Sequence, residues 1–177
     1  MTPAPRLSVI TACFNHAHYL PECIASVRAQ TEAAIEHVII DDASPDGARG
    51  VAESAAARDP RVRVLVNAEN RGLAYSQNRG IEAARADWVL KVDADDTISA
   101  TYVEKILQAA DTKPSVNVIF SPAHLFGARD EVYRYPSFDP SRMIDRLMIP
   151  GPAAFRKELW SAVGGYDETM RSAEDWD

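Results

Sequence analysis

Cysteine is scarce in this 177-residue sequence: only Cys13 and Cys23 occur. They form neither a CxxC pair nor a Cys/His spacing suited to zinc. A disulfide-framed or zinc-nucleated domain is therefore excluded, and both thiols are expected to be buried. Basic charge is also in deficit, the formal net charge being -7. That balance argues against nucleic acid or an anionic membrane as a partner held by a basic surface, and a phosphate ligand would need a cation. The apolar run from Leu7 to Phe14 is too short to span a bilayer, and the N-terminus lacks the apolar core and cleavage site of a signal peptide. We therefore expect no transmembrane segment and a cytoplasmic location, with peripheral attachment to a membrane left open. No low-complexity linker, heptad seam or repeat divides the chain, and 46% hydrophobic residues are enough for one core. No GxGxxG follows the first apolar run, which disfavours a dinucleotide-dependent dehydrogenase.

What is present is an alternation of strand-like and helix-like segments. Strands are expected over Leu7–Cys13, Ile35–Ile40, Val62–Val66 and Trp88–Val92. Helices are expected over Tyr19–Ala29, Asp46–Arg58 and Leu73–Ala84. Strands separated by helices of this length imply a parallel sheet with helices on its faces, and the ligands of such sheets lie beyond the carboxyl ends of the strands. After Asp96 the pattern becomes mixed. It comprises a helix near Tyr102–Ala110, a strand Val116–Phe120, a hairpin over Ala123–Tyr135 around Gly127 and Asp130, a bend at Pro150-Gly151-Pro152, and a short helix Arg156–Val163.

Acidic residues cluster at Asp41-Asp42, Asp93-Ala94-Asp95-Asp96 and Glu174-Asp175. Asp41 and Asp42 follow an apolar strand and should emerge at its carboxyl edge; the plainer alternative is a loop acid with a helix cap from Ser44 or Asp46. In the DxD of Asp93 and Asp95, residues two apart in extended chain project to one side, so both carboxylates can meet one hard cation bridging to a diphosphate. Solvated acidic turns have the same composition. His16, His18, His37 and His124 share no metal-ligand spacing and are read as surface or loop residues. Arg71 and Arg79 are each read as solvated unless a phosphate recruits them. Trp88 and Trp160 fit core-facing positions, and Trp176 could line an acceptor pocket.

Taken in order, these motifs resemble glycosyltransferase family 2, inverting enzymes of the GT-A fold. The resemblance is carried by Ser8-Val9-Ile10 through Phe14-Asn15, Val38-Ile39-Ile40-Asp41-Asp42-Ala43-Ser44, Asn70-Arg71-Gly72, Asn78-Arg79-Gly80, Asp93-Ala94-Asp95-Asp96, Gly164-Gly165-Tyr166-Asp167-Glu168 and Glu174-Asp175. It implies an α/β fold of GT-A type, a Rossmann-like and mainly parallel sheet with helices on both faces, plus a mixed C-terminal part with a β-hairpin. It also implies a single domain over 1–177, with residues 1–96 as the nucleotide-binding half and 97–177 as the acceptor-side half. Phe14 and Asp42 would contact the nucleotide base, Asp93 would lie near the ribose, and Asp95 would bind Mn²⁺ or Mg²⁺ on the donor diphosphate. Arg71 would approach the phosphates, and Asp175 would be the general base. The donor would be a nucleotide sugar, with a UDP-sugar favoured, and the acceptor a carbohydrate or a lipid-linked one, as in polysaccharide biosynthesis.

Some positions depart from the family pattern. Ala12 stands where proline or threonine is frequent, Ser76-Gln77-Asn78 replaces a frequent Ala-Arg-Asn, and Lys91 interrupts an apolar strand. Family members continue past the Glu-Asp motif, so the ending at Asp177 leads us to expect an incomplete acceptor side. The Gln-x-x-Arg-Trp motif of processive synthases is missing, which favours addition of single sugars. Two alternatives remain: a non-catalytic nucleotide-sugar-binding module, and a haloacid-dehalogenase-like phosphatase in which Asp93, in Asp93-Ala94-Asp95-Asp96-Thr97, would be the nucleophile.

Overall fold

The computed structural model describes residues 4–136, 139, 141 and 151–170. Strands β1 (Leu7–Cys13), β2 (Ile35–Asp41), β3 (Val62–Val66) and β4 (Trp88–Lys91) run parallel, and helices α1 (Leu20–Arg28), α2 (Ala48–Ala56) and α3 (Leu73–Ala83) connect them in turn. Parallel neighbours cannot be joined by a tight turn, so each connection needs a crossover. There follow α4 (Tyr102–Thr112), β5 (Val118–Phe120), β6 (Ala123–Leu125), β7 (Glu131–Tyr133), β8 (Ala153–Arg156) and α5 (Lys157–Val163). The main sheet has the order β3-β2-β1-β4-β8-β5, with β8 antiparallel to both its neighbours, and β6 and β7 form a separate two-stranded hairpin.

Period-two alternation sorts the strand side chains between two helical layers. Leu7, Val9, Leu90 and Val92 share one core with Cys23 and Val27 of α1 and Val103 and Ile106 of α4. Ile10, Val38, Ile40 and Val89 face the other way, onto Ile81 of α3. The strands are thus covered on both sides, which is why they read as nearly continuous apolar runs. Helix α1 illustrates the local logic: proline sits in its first turn, and Leu20, Cys23, Ile24 and Val27 form its buried stripe. Both cysteines are free and buried, and burial pushes the Cys13 thiol up to about 11 and that of Cys23 to about 12.

The backbone of α3 lies close against the sheet at Gly80. A β-carbon there would fall 2.5 Å from Ile40 Cδ1 and 2.6 Å from Ile10 Cγ2. Gly80→Ala is therefore expected to destabilise the domain by about 1–2 kcal/mol in urea unfolding, overpacking outweighing the helix propensity that alanine adds.

Three expectations need correction. Strand β8 was not anticipated: Ala153–Arg156 carries no β-branched residue, and it becomes a strand because β4 and β5 flank it on both sides. His37 is not a surface residue. It sits on β2 at 2% exposure with Nε2 3.0 Å from Thr11 Oγ1, and burial pushes its pKa down to about 3. Arg79 is not simply solvated either, since its guanidinium donates to Val66 O at 2.7 Å and to Asn67 Oδ1. Trp88 is buried as expected, and Trp160 packs partly buried against the α3-side core.

Candidate functional site

Polar residues end the parallel strands at one rim of the sheet. After β1 the chain reverses through Asn15, at φ 59, and after β2 through Ala43, at φ 58. The two turns are stapled together. Asn15 N donates to Ser44 Oγ at 3.2 Å, and Ala17 N donates to Asp46 Oδ2 at 2.7 Å. These links hold Phe14 beside the end of β2.

Asp42 is the most constrained group at this rim. It is 3% exposed. Its Oδ1 accepts from Asn67 Nδ2 at 2.6 Å and from Arg71 N at 2.9 Å, and its Oδ2 accepts from Gly72 N at 2.9 Å. Asn67 also donates to Ser76 Oγ at 2.9 Å. The carboxylate therefore ties β2, the end of β3 and the start of α3 into one rigid unit, as a buried charge must be if its desolvation is to be offset. With two bonds on Oδ1 and one on Oδ2, one acceptor position of the carboxylate is left.

Beyond β4 the chain turns on a bond from Asp96 N to Asp93 O of 3.1 Å. Burial, followed by the negative charges of Asp93 and Asp95, pushes the Asp96 carboxyl up to about 6. Crowded carboxylates of this kind suit a hard cation. Among the described residues no group of three His, Cys, Asp or Glu is arranged to hold a metal. The described residues at this turn could offer one or two carboxylate oxygens to a Mg²⁺- or Mn²⁺-like ion, which commonly takes further ligands from bound phosphate and water.

A cavity of about 430 Å³ gathers Phe14, Asp42, Leu73, Ser76, Asp93 and Asp95 on its walls. Asp93 also borders a second cavity of about 590 Å³, walled in part by Asp96, Phe126 and Tyr135. Four of the residues singled out in the sequence thus meet in one place. Arg71 reaches the site through its backbone N–H, and its guanidinium stacks 4.3 Å over the Tyr75 ring. Asp175, Glu174 and Trp176 lie outside the described residues. Asn67 and Leu73 escaped the sequence reading as site residues, and Ser76 entered it only as a departure from the family pattern. Asn67 carried a usable signal, since it follows β3 directly, as Asp42 follows β2.

A rim of this kind, with an apolar wall, a buried carboxylate and a strand-terminal DxD, lies where parallel α/β domains bind their ligands, beyond the carboxyl ends of the strands. The profile of "Glycosyl transferase family 2" matches residues 8–168, and the chain belongs to that family. It is 35% identical over 191 residues to the succinoglycan biosynthesis protein ExoO of Rhizobium meliloti, covering 97% of this chain and 54% of ExoO. The chain spans about half the length of the curated relatives it matches. S. aureus TarS (residues 1–349), solved in complex with UDP-GlcNAc, superimposes with a TM-score of 0.82 at 24% identity, over 97% of this chain and 51% of TarS. The mannosyltransferase PcManGT from Pyrobaculum calidifontis, solved with GDP-Man and Mn²⁺, gives 0.72 at 23% identity, over 99% of this chain and 51% of that one. These likenesses establish the GT-A type of fold.

Proposed function

We propose that this domain transfers a sugar from a nucleoside-diphosphate donor to an acceptor hydroxyl with inversion at the anomeric carbon. The observation that carries the reading is the meeting of Phe14, Asp42, Asp93 and Asp95 in one cavity at the carboxyl rim of the sheet. In this account Phe14, 45% exposed, offers its face to the base. Asp42 accepts a base N–H, Asp93 borders the ribose, and Asp95 holds Mn²⁺ or Mg²⁺. Such an ion, when bound, supplies positive charge to the departing diphosphate, which a chain of net charge -7 otherwise has little of. Arg71 approaches the phosphates by swinging away from Tyr75. Asp175 takes the proton from the acceptor hydroxyl as the bond to the sugar forms.

The bonding of Asp42 favours a UDP-sugar. One acceptor position remains on its carboxylate. Uracil presents a single imino N–H and fills it, whereas guanine presents an imino and an amino donor side by side and would leave one unpaired. An unpaired buried donor costs about 1–3 kcal/mol, so GDP should bind roughly 10- to 100-fold more weakly than UDP. The acceptor, a carbohydrate or a lipid-linked one, would enter from residues 97–177 through the cavity that shares Asp93. ExoO acts in succinoglycan biosynthesis, and by that likeness polysaccharide assembly is the setting we favour. Among the described residues no helix is long and apolar enough to cross a membrane. This fits a cytoplasmic domain, and a peripheral membrane position would suit a lipid-linked acceptor.

Calorimetric titration of UDP, GDP and dTDP, with and without Mn²⁺, tests the donor site. UDP is expected to bind more tightly with Mn²⁺, and Asp95→Ala should abolish that gain while leaving the metal-free affinity in place. An Asp95→Ala protein that keeps the whole Mn²⁺ effect would exclude Asp95 as the ligand. Nucleotide binding with no sugar transfer by the protein at its full natural length would instead favour a non-catalytic binding module.

A further inference from the structure

Asn67 controls how much of the Asp42 carboxylate a base can use. It follows β3 directly and is 5% exposed, and its backbone N–H donates to Asp41 O at 2.9 Å at the end of β2. Its amide is engaged on both sides. Nδ2 donates to Asp42 Oδ1 at 2.6 Å and to Ser76 Oγ at 2.9 Å, and Oδ1 accepts from Arg79 Nη1. Arg79 is fixed in turn by Val66 O, 2.7 Å from the same Nη1.

The amide has one workable orientation. Turned over, it would set Nδ2 against a guanidinium and its oxygen against a carboxylate, donor facing donor and acceptor facing acceptor. As it stands, the relay from Arg79 through Asn67 to Asp42 runs from cation through amide dipole to anion. Each bond of such a chain polarises the next, and burial keeps water from weakening it.

The consequence falls on the two oxygens of Asp42. Oδ1 accepts from Asn67 Nδ2 and Arg71 N and is full, whereas Oδ2 accepts from Gly72 N alone. The open position is therefore on Oδ2. Uracil, with one imino N–H, needs no more. Guanine, whose imino and amino donors lie side by side, needs a position on each oxygen.

We infer that Asn67, held by Arg79, is a positioning residue that sets the choice of donor nucleotide: by filling Oδ1 of Asp42 it closes the site to guanine and leaves it open to uracil. It selects by what it denies the wrong base. The inference rests on the reading of Asp42 as the base contact, and assigns the selectivity to the neighbour of that carboxylate.

The test is calorimetric titration of UDP and GDP with Mn²⁺ present, read as the ratio of the two dissociation constants. Asn67→Ala is expected to narrow the preference for UDP by roughly 5- to 10-fold, the worth of one hydrogen bond, with GDP gaining affinity. Arg79→Met leaves Asn67 in place without its anchor and should narrow the preference less, in the same direction. In an Asp42→Asn background, Asn67→Ala should leave the ratio where Asp42→Asn alone puts it, because both changes act through one carboxylate. A merely structural role for Asn67 would weaken both nucleotides alike. An unchanged ratio in Asn67→Ala would therefore overturn the inference and leave the reading of Asp42 standing. Equal affinities for UDP and GDP in the unaltered protein, or a ratio untouched by Asp42→Asn, would overturn both. Should Asn67→Ala fail to fold, Arg79→Met carries the same comparison.

Discussion

Asp175→Asn is expected to lower kcat for sugar transfer by about 10²- to 10⁴-fold while leaving UDP affinity and the KM of the donor almost unchanged. A sugar hydroxyl is a poor nucleophile until a carboxylate accepts its proton in the transition state. Three other carboxylates of the site have donor-side places in this reading. Asp42 is engaged by Asn67, Arg71 and Gly72, and Asp93 and Asp95 border the donor cavity. Asparagine keeps the shape of the side chain but cannot take a proton, so the loss should fall on kcat alone. Initial rates at saturating donor decide the matter, and an asparagine variant with the full rate would show that the base lies elsewhere.

Asp42→Ala should be the most damaging change on the binding side. Three N–H donors that now end on one buried carboxylate would lose their acceptor: Asn67 Nδ2, Arg71 N and Gly72 N. Orphaned buried donors cost about 1–3 kcal/mol each where water cannot reach them. Some would be rehydrated through the cavity, so a stability loss of about 2–4 kcal/mol is expected in urea unfolding. The proposed contact to the base would be lost as well, and UDP affinity should fall by roughly 100-fold or more. Intact stability with weakened UDP binding would mean that the network is held by other groups. Intact UDP binding in a folded variant would remove Asp42 from the base site.

Much of this architecture was legible in the sequence because the sheet is buried on both faces, so its strands announce themselves as apolar runs such as Val38-Ile39-Ile40, and the helices between them announce themselves by their spacing. The rim residues were legible for a related reason: a polar side chain directly after a buried strand, as at Asp42 and Asp93, can only emerge at the sheet's edge. Features that depend on distant neighbours were not legible. Ala153–Arg156 is a strand because two other strands flank it. His37 is buried because β2 lies inside the sheet, between β1 and β3, and Thr11 offers it a partner. Arg79 looked like an ordinary helix-surface cation, and only the fold brings the end of β3 within its reach. The partners of Asn78, Trp160 and Glu168, were not legible either, since they lie 82 and 90 residues further along the chain.

A crystal structure of the domain with UDP and Mn²⁺, the ion located by its anomalous scattering, would test the donor site most directly. The prediction is uracil against Phe14 with its imino N–H on Asp42, and Mn²⁺ between Asp95 and the diphosphate oxygens. UDP bound away from this cavity, or an ion that does not touch Asp95, would contradict it.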